Sequence, residues 1–227
     1  MNKKQFKYLD IIIFIAILGS IWGLSEVVFS HLLRIAGIPY RSGILIGIGA
    51  GILGVAYAYL KKPLLFIGIV FVTILSKQLV VPLLQISVMC KANSCLAVLL
   101  IGASLAIITL LVKPEHNKRP LGRIFTGATA GATTAISFYF LGKILAPCQN
   151  LLAYTHLSGF ISYLIDKGIS WILFPGFLFP LGYLVGSRLK NRDISFLTEK
   201  PLLYYASTCS FVVFCWIIIA FVTVYGF

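Results

Sequence analysis

Acidic residues are nearly absent from this chain: six in 227 residues, against nineteen lysines and arginines. Charge of either sign is scarce, at 11% of residues, and no long polar stretch separates the apolar runs. With 59% hydrophobic residues and a mean hydropathy of +1.00, the chain lies outside the range of water-soluble globular proteins. The net charge of +13 does not make it a nucleic-acid binder, because the basic residues fall in short clusters between apolar runs and share no water-facing surface.

Catalytic signatures are missing too. There is no P-loop and no Gly-x-Ser-x-Gly elbow, no histidine pair has i, i+4 spacing, and no Cys/His grouping has zinc or haem geometry. Ser187-Arg188-Leu189-Lys190 fits Ser-x-x-Lys but lacks the companion motifs of penicillin-type acyl enzymes. Gly49-Ala50-Gly51-Ile52-Leu53-Gly54 fits the dinucleotide fingerprint. It lies inside an apolar run, however, and not at a strand-to-helix turn, so it reads as helix packing. No cofactor is expected, and enzymatic activity is the less favoured reading.

What is present is length in apolar runs. A helix crossing about 30 Å of hydrocarbon needs on the order of 20 mainly apolar residues. Seven stretches qualify, near residues 9–30, 44–60, 64–86, 96–112, 124–146, 167–187 and 202–225. The first follows Lys3, Lys4 and Lys7 like a secretory signal, but it is too long and has no small-x-small cleavage site, so it reads as a retained span. The sixth contains Pro175 and Pro180, which predicts a kinked or partly unwound helix and keeps six spans open as an alternative. The expected fold is all-α, a polytopic membrane bundle of six to seven helices forming a single domain over 1–227, with no connection long enough to fold alone.

With seven spans, one set of loops carries thirteen cations and the other only Arg34, Arg41, Lys91 and Lys167. Cations near span ends are retained on the cytoplasmic side, which predicts a plasma or inner membrane protein with its N-terminus inside and its C-terminus outside.

Ionisable residues within spans cost several kcal/mol when they face lipid, so Glu26, Lys77 and Lys143 must face one another, a polar cavity or the interface. All three fall toward the outer half. With Trp22 one turn from Glu26, and Arg34 and Arg41 in the first outer loop, they form a candidate substrate-binding set for an anionic solute. The alternative is structural: Glu26 and Lys77 pair to hold two spans together, while Lys143, Arg34 and Arg41 reach headgroups.

Small residues recur at i, i+4 as Gly19 and Gly23 in the first span and as Gly43, Gly47 and Gly51 in the second. These smooth faces suit close packing, either against neighbouring spans or against a partner protein. Cys90 and Cys95 flank the second outer loop and are a candidate disulfide. Together with Cys148 they also keep open a membrane thiol/quinone oxidoreductase. A third reading is an accessory subunit of a larger membrane complex.

The basic N-terminus, the small-residue face of the first span (Ala16, Gly19, Ser20, Gly23) and the outward polar pocket resemble the substrate-capture S components of energy-coupling-factor transporters. The resemblance covers the layout of the first six spans; those proteins usually have six, and a seventh departs from their pattern. It implies capture of a vitamin-like solute, with a membrane coupling protein and ATPase subunits supplying the power and the small residues of the first span as the contact surface.

Overall fold

The computed structural model describes residues 3–78, 81, 92–112, 115–147, 149–154, 156–190 and 201–225. Among them there are helices and turns and no strands. The helices are α1 (Lys3–Ile35), α2 (Arg41–Leu60), α3 (Phe66–Gln78), α4 (Ala92–Leu111), α5 (Pro120–Leu145), the single turn α6 (Gln149–Leu152), α7 (His156–Tyr163), α8 (Ile169–Lys190) and α9 (Pro201–Tyr225). A π turn, Leu164–Gly168, joins α7 to α8.

Among the described residues, six segments are long and apolar enough to cross a membrane: Tyr8–Ile35, Arg41–Leu60, Ala92–Leu111, Pro120–Leu145, His156–Lys190 and Leu203–Tyr225; Pro63–Gln78 is a shorter apolar helix. The chain is therefore an all-α membrane-embedded bundle. Part of the expected third span, 64–86, lies outside the described residues.

The packing is that of a protein whose solvent is lipid. Large side chains such as Phe71, Ile107, Leu173, Phe177 and Phe221 are more than half exposed on the periphery, while Ser20, Thr73, Ser76, Thr126 and Thr134 are buried. Burying apolar surface gains little between helices in lipid, so association depends on close backbone approach and on hydrogen bonds. The buried threonines spend their hydroxyls on carbonyls: Thr73 Oγ1 donates to Ile69 O at 2.9 Å and to Gly19 O, on α1, at 3.1 Å.

Contacts between helices fix their directions. Gly19 meets Val72 and Gly23 meets Ser76, so α1 and α3 run parallel. Phe14 stacks on Tyr59 with centroids 4.5 Å apart, and Gly49 lies under the Trp22 ring, so α2 runs antiparallel to α1. Gly43, Gly47 and Gly51 meet Ser170, Phe174 and Leu178, which makes α8 parallel to α2. Gly131 and Gly127 meet Trp171 and Pro175, which makes α5 antiparallel to α8. Tyr205 donates to Asp10 at 3.3 Å and Trp216 to Ser20 at 3.0 Å, offsets of 195 and 196 residues, so α9 runs parallel to α1.

The tightest seam is α2 against α8. A Cβ on Gly182 would sit 1.8 Å from Gly51 O, and one on Gly54 would sit 2.4 Å from Phe179 O. The two backbones touch because neither presents a side chain there.

α8 departs from expectation. It runs as regular α-helix through Pro175 and Pro180, and the irregular turn lies earlier, at Leu164–Gly168. Pro175 has no N–H for the Trp171 carbonyl, and that carbonyl instead presses on Gly131, where a Cβ would lie only 1.9 Å away. The neighbouring helix accommodates the freed acceptor, so the helix need not unwind.

Candidate functional site

A cavity of about 480 Å³ opens at the end of the bundle where α1 passes into α2. α1 stops there because Gly37 takes φ +66°: its N–H bonds Arg34 O at 3.2 Å and Ile38 N–H bonds Leu33 O at 3.1 Å, the paired closure that ends a helix in a left-handed residue. The tight turn delivers Arg41 and Ser42 to the cavity wall on the first turn of α2. On α8, Trp171 lines the same wall and donates Nε1–H to Ser42 Oγ at 3.0 Å. Lys167, within the π turn, also lines it. A π turn widens the helical spiral by one residue and re-aims the side chains it carries.

A second wall comes from α1 and α4. Glu26, Asn93 and Ser94 line it, and Glu26 is 6% exposed. Behind Glu26, Lys77 of α3 places Nζ 3.0 Å from Oε2, with both side chains nearly fully buried. Lys77 also donates to Ser94 Oγ, and Ser94 in turn donates to Glu26 Oε2 at 3.4 Å. The triad ties three helices together and neutralises the carboxylate. Ion pairs of this kind survive at low dielectric only when their remaining hydrogen-bonding capacity is satisfied. Among the described lining residues, Arg41 and Lys167 are thus left as the surplus charge, against the single carboxylate of Asp166 behind Tyr154, so the field favours an anion.

The third side is the connection after α5. Tyr154, Leu151 and Tyr163 line the cavity there. The Tyr154 carbonyl accepts from Tyr139 Oη at 3.1 Å and from Lys143 Nζ, whose ammonium lies 3.9 Å from the Tyr139 ring centroid. Tyr154 Oη donates to Asp166 Oδ2 at 2.9 Å. Burial first, then that hydrogen bond and the carboxylate's charge, hold the Tyr154 phenol above its ordinary value of 10.0.

Of the residues singled out in the sequence, Glu26 and Arg41 line the cavity and Lys77 stands directly behind Glu26. Trp22 does not line it: the ring is fully buried against Gly49, and its Nε1 has no hydrogen-bond partner among the described residues. Lys143 braces the connection instead of entering the cavity. Arg34 sits at the exposed end of α1, 3.2 Å from His31 Nδ1. Gly19 and Gly23 face α3, with Ile219 of α9 also close to Gly23, and Gly43, Gly47 and Gly51 face α8, all within the chain. Cys95 is a buried free thiol, with Gln78 Nε2 3.3 Å from its sulfur. Cys90 and Cys148 lie outside the described residues.

Lys167, Trp171, Asn93, Ser94 and Tyr154 escaped the sequence reading as site residues. Each sits in a connection or at a helix start, where hydrophobic periodicity says nothing about direction. Lys167 alone gave a signal, as one of the few cations in the loops of the poorly charged set.

Comparison with known protein families, with curated proteins and with solved structures gives no match for this chain.

Proposed function

We propose that the chain is a membrane capture protein that takes a small anionic, vitamin-like solute into the Arg41–Lys167 cavity from the outer side of the membrane. The observation that carries this reading is the charge of the cavity: two lining cations, and one carboxylate already paired to Lys77. The rest of the lining is amphipathic, with Trp171, Phe138 and Tyr163 offering ring faces to an apolar body. The thirteen-to-four distribution of loop cations supports an orientation that puts this mouth outside, the N-terminus in the cytoplasm and the C-terminus outside.

Power for release into the cell would come from partner subunits, a membrane coupling protein with ATPases, as in the energy-coupling-factor systems that the layout resembles. The small-residue face of α1 is occupied by α3 and α9, so a coupling subunit would take the remaining apolar surface of the bundle.

The test is equilibrium binding to the purified chain in lipid nanodiscs. Benzoate and its substituted derivatives should bind, benzylamine should not, and Arg41→Gln or Lys167→Gln should weaken benzoate binding about tenfold, the loss of one charge-assisted contact. Equal binding of benzoate and benzylamine would refute the reading.

A further inference from the structure

Two groups of helices line the cavity, and their chemistry differs. The α2–α8 wall presents donors and positive charge, Arg41 and Lys167. The α1–α4 wall presents acceptors. Asn93 lines the cavity, and its Oδ1 is buried with no hydrogen-bond partner among the described residues. Among the described residues, the hydrogen bonds of Glu26 end on Oε2, which leaves Oε1 able to accept. A buried amide oxygen without a partner is destabilising, and a ligand donor would remove that cost.

The acceptors are not matched by net negative charge. Lys77 lies 3.0 Å from Glu26, so the wall as a whole is close to neutral, and an incoming ammonium would be opposed by the Lys77 charge. A neutral N–H suits it better.

Resting on the anion-capture reading above, we infer that the solute is a dipolar organic acid whose carboxylate is held by Arg41 and Lys167. A neutral N–H, of an amide or a ring nitrogen, is held by Asn93 Oδ1 and Glu26 on the α1–α4 wall. Such a ligand bridges the two helix groups, so its occupancy is felt by both. Selectivity follows from the unpartnered acceptor: an acid without the N–H leaves Asn93 unsatisfied, and a site built around a hydrogen bond discriminates strongly against an analogue that lacks it.

The test uses three probes of one shape on the wild-type chain in nanodiscs: 4-carbamoylbenzoate, its isostere 4-acetylbenzoate with methyl in place of NH2, and 4-(aminomethyl)benzoate with an ammonium. The carbamoyl probe should bind about tenfold tighter than the acetyl probe and tighter than the ammonium probe. In Asn93→Ala the carbamoyl preference over acetyl should fall toward unity. Equal binding of the carbamoyl and acetyl probes overturns the donor assignment while leaving anion capture standing. Tightest binding of the ammonium probe overturns the requirement for a neutral donor. Failure of all three to bind overturns anion capture itself, and this inference with it. The wild-type comparison does not depend on any variant folding.

Discussion

Lys77 Nζ lies 3.0 Å from Glu26 Oε2, joining α3 to α1 behind the cavity wall with both side chains almost out of contact with solvent. Removing one partner strands the other charge in a low-dielectric core. Lys77→Met should lower stability by about 3 kcal/mol or more, and Glu26→Gln in the same background should recover a large part of it. Thermal unfolding of the single and double variants in detergent checks this. Additive losses would show that the pair is not coupled.

The α2–α8 seam separates two glycines of the same pattern. A Cβ at residue 182 would lie 1.8 Å from Gly51 O, whereas one at residue 51 would lie 3.3 Å from Leu178 O. Gly182→Ala should therefore destabilise by about 2 kcal/mol or more, and Gly51→Ala by well under that. Melting temperatures of the two variants give the comparison, and equal losses would contradict the seam.

At the other end of the bundle Asn117 is 2% exposed and fully engaged. Its Oδ1 accepts from Thr126 Oγ1 at 2.8 Å, its carbonyl accepts from Arg123 Nε at 3.0 Å, and its Nδ2 meets Tyr57 Oη at 3.5 Å. The Arg123 guanidinium lies 4.2 Å from the Tyr183 ring centroid. Asn117→Ala should cost about 1 kcal/mol through the lost bonds to Thr126 and Tyr57, a modest figure because the Thr126 hydroxyl keeps Gly122 O as an acceptor at 2.9 Å, with little effect on benzoate binding at the far end. A parallel loss of binding would show that the two ends are coupled.

Tyr154 supplies a pH signature. Its folded-state value is raised above 10.0, so the neutral phenol is the form the fold prefers. The stability this gives is complete below pH 10 and is lost as the pH rises through the raised value, because the unfolded chain ionises first. Wild type should lose melting temperature above pH 10 more steeply than Tyr154→Phe, which lacks the ionisation. Parallel curves would refute the assignment.

The sequence made the bundle legible because a hydrocarbon solvent demands long apolar helices, and it made Glu26 and Lys77 legible because charge at that depth must find a partner. It misdirected attention at α8. Pro175 and Pro180 suggest a break, but whether a freed carbonyl can be accommodated depends on the neighbouring helix, and Gly131 provides the room. Lys143 showed a similar limit: its place near the end of a span was readable, while its attachment to the Tyr154 carbonyl depends on how the connection folds back. Lys167 and Trp171 enter the site through a π turn and the α2–α8 register, neither of which has a local sequence signature.

The central claim, a water-accessible, anion-favouring cavity on the outer face, is tested most directly by a single cysteine at the lining position Leu45. The five native cysteines are replaced, and sealed vesicles of known orientation are treated from outside with two impermeant thiol reagents, sulfonatoethyl and trimethylammonioethyl methanethiosulfonate. Leu45→Cys should react from outside and, with each rate taken relative to the same reagent's rate on a free thiol in solution, should favour the anionic reagent; Arg41→Glu, which cancels the charge of Lys167, should abolish that preference. No reaction from outside, or equal relative rates with both reagents in the Leu45→Cys chain, would contradict it.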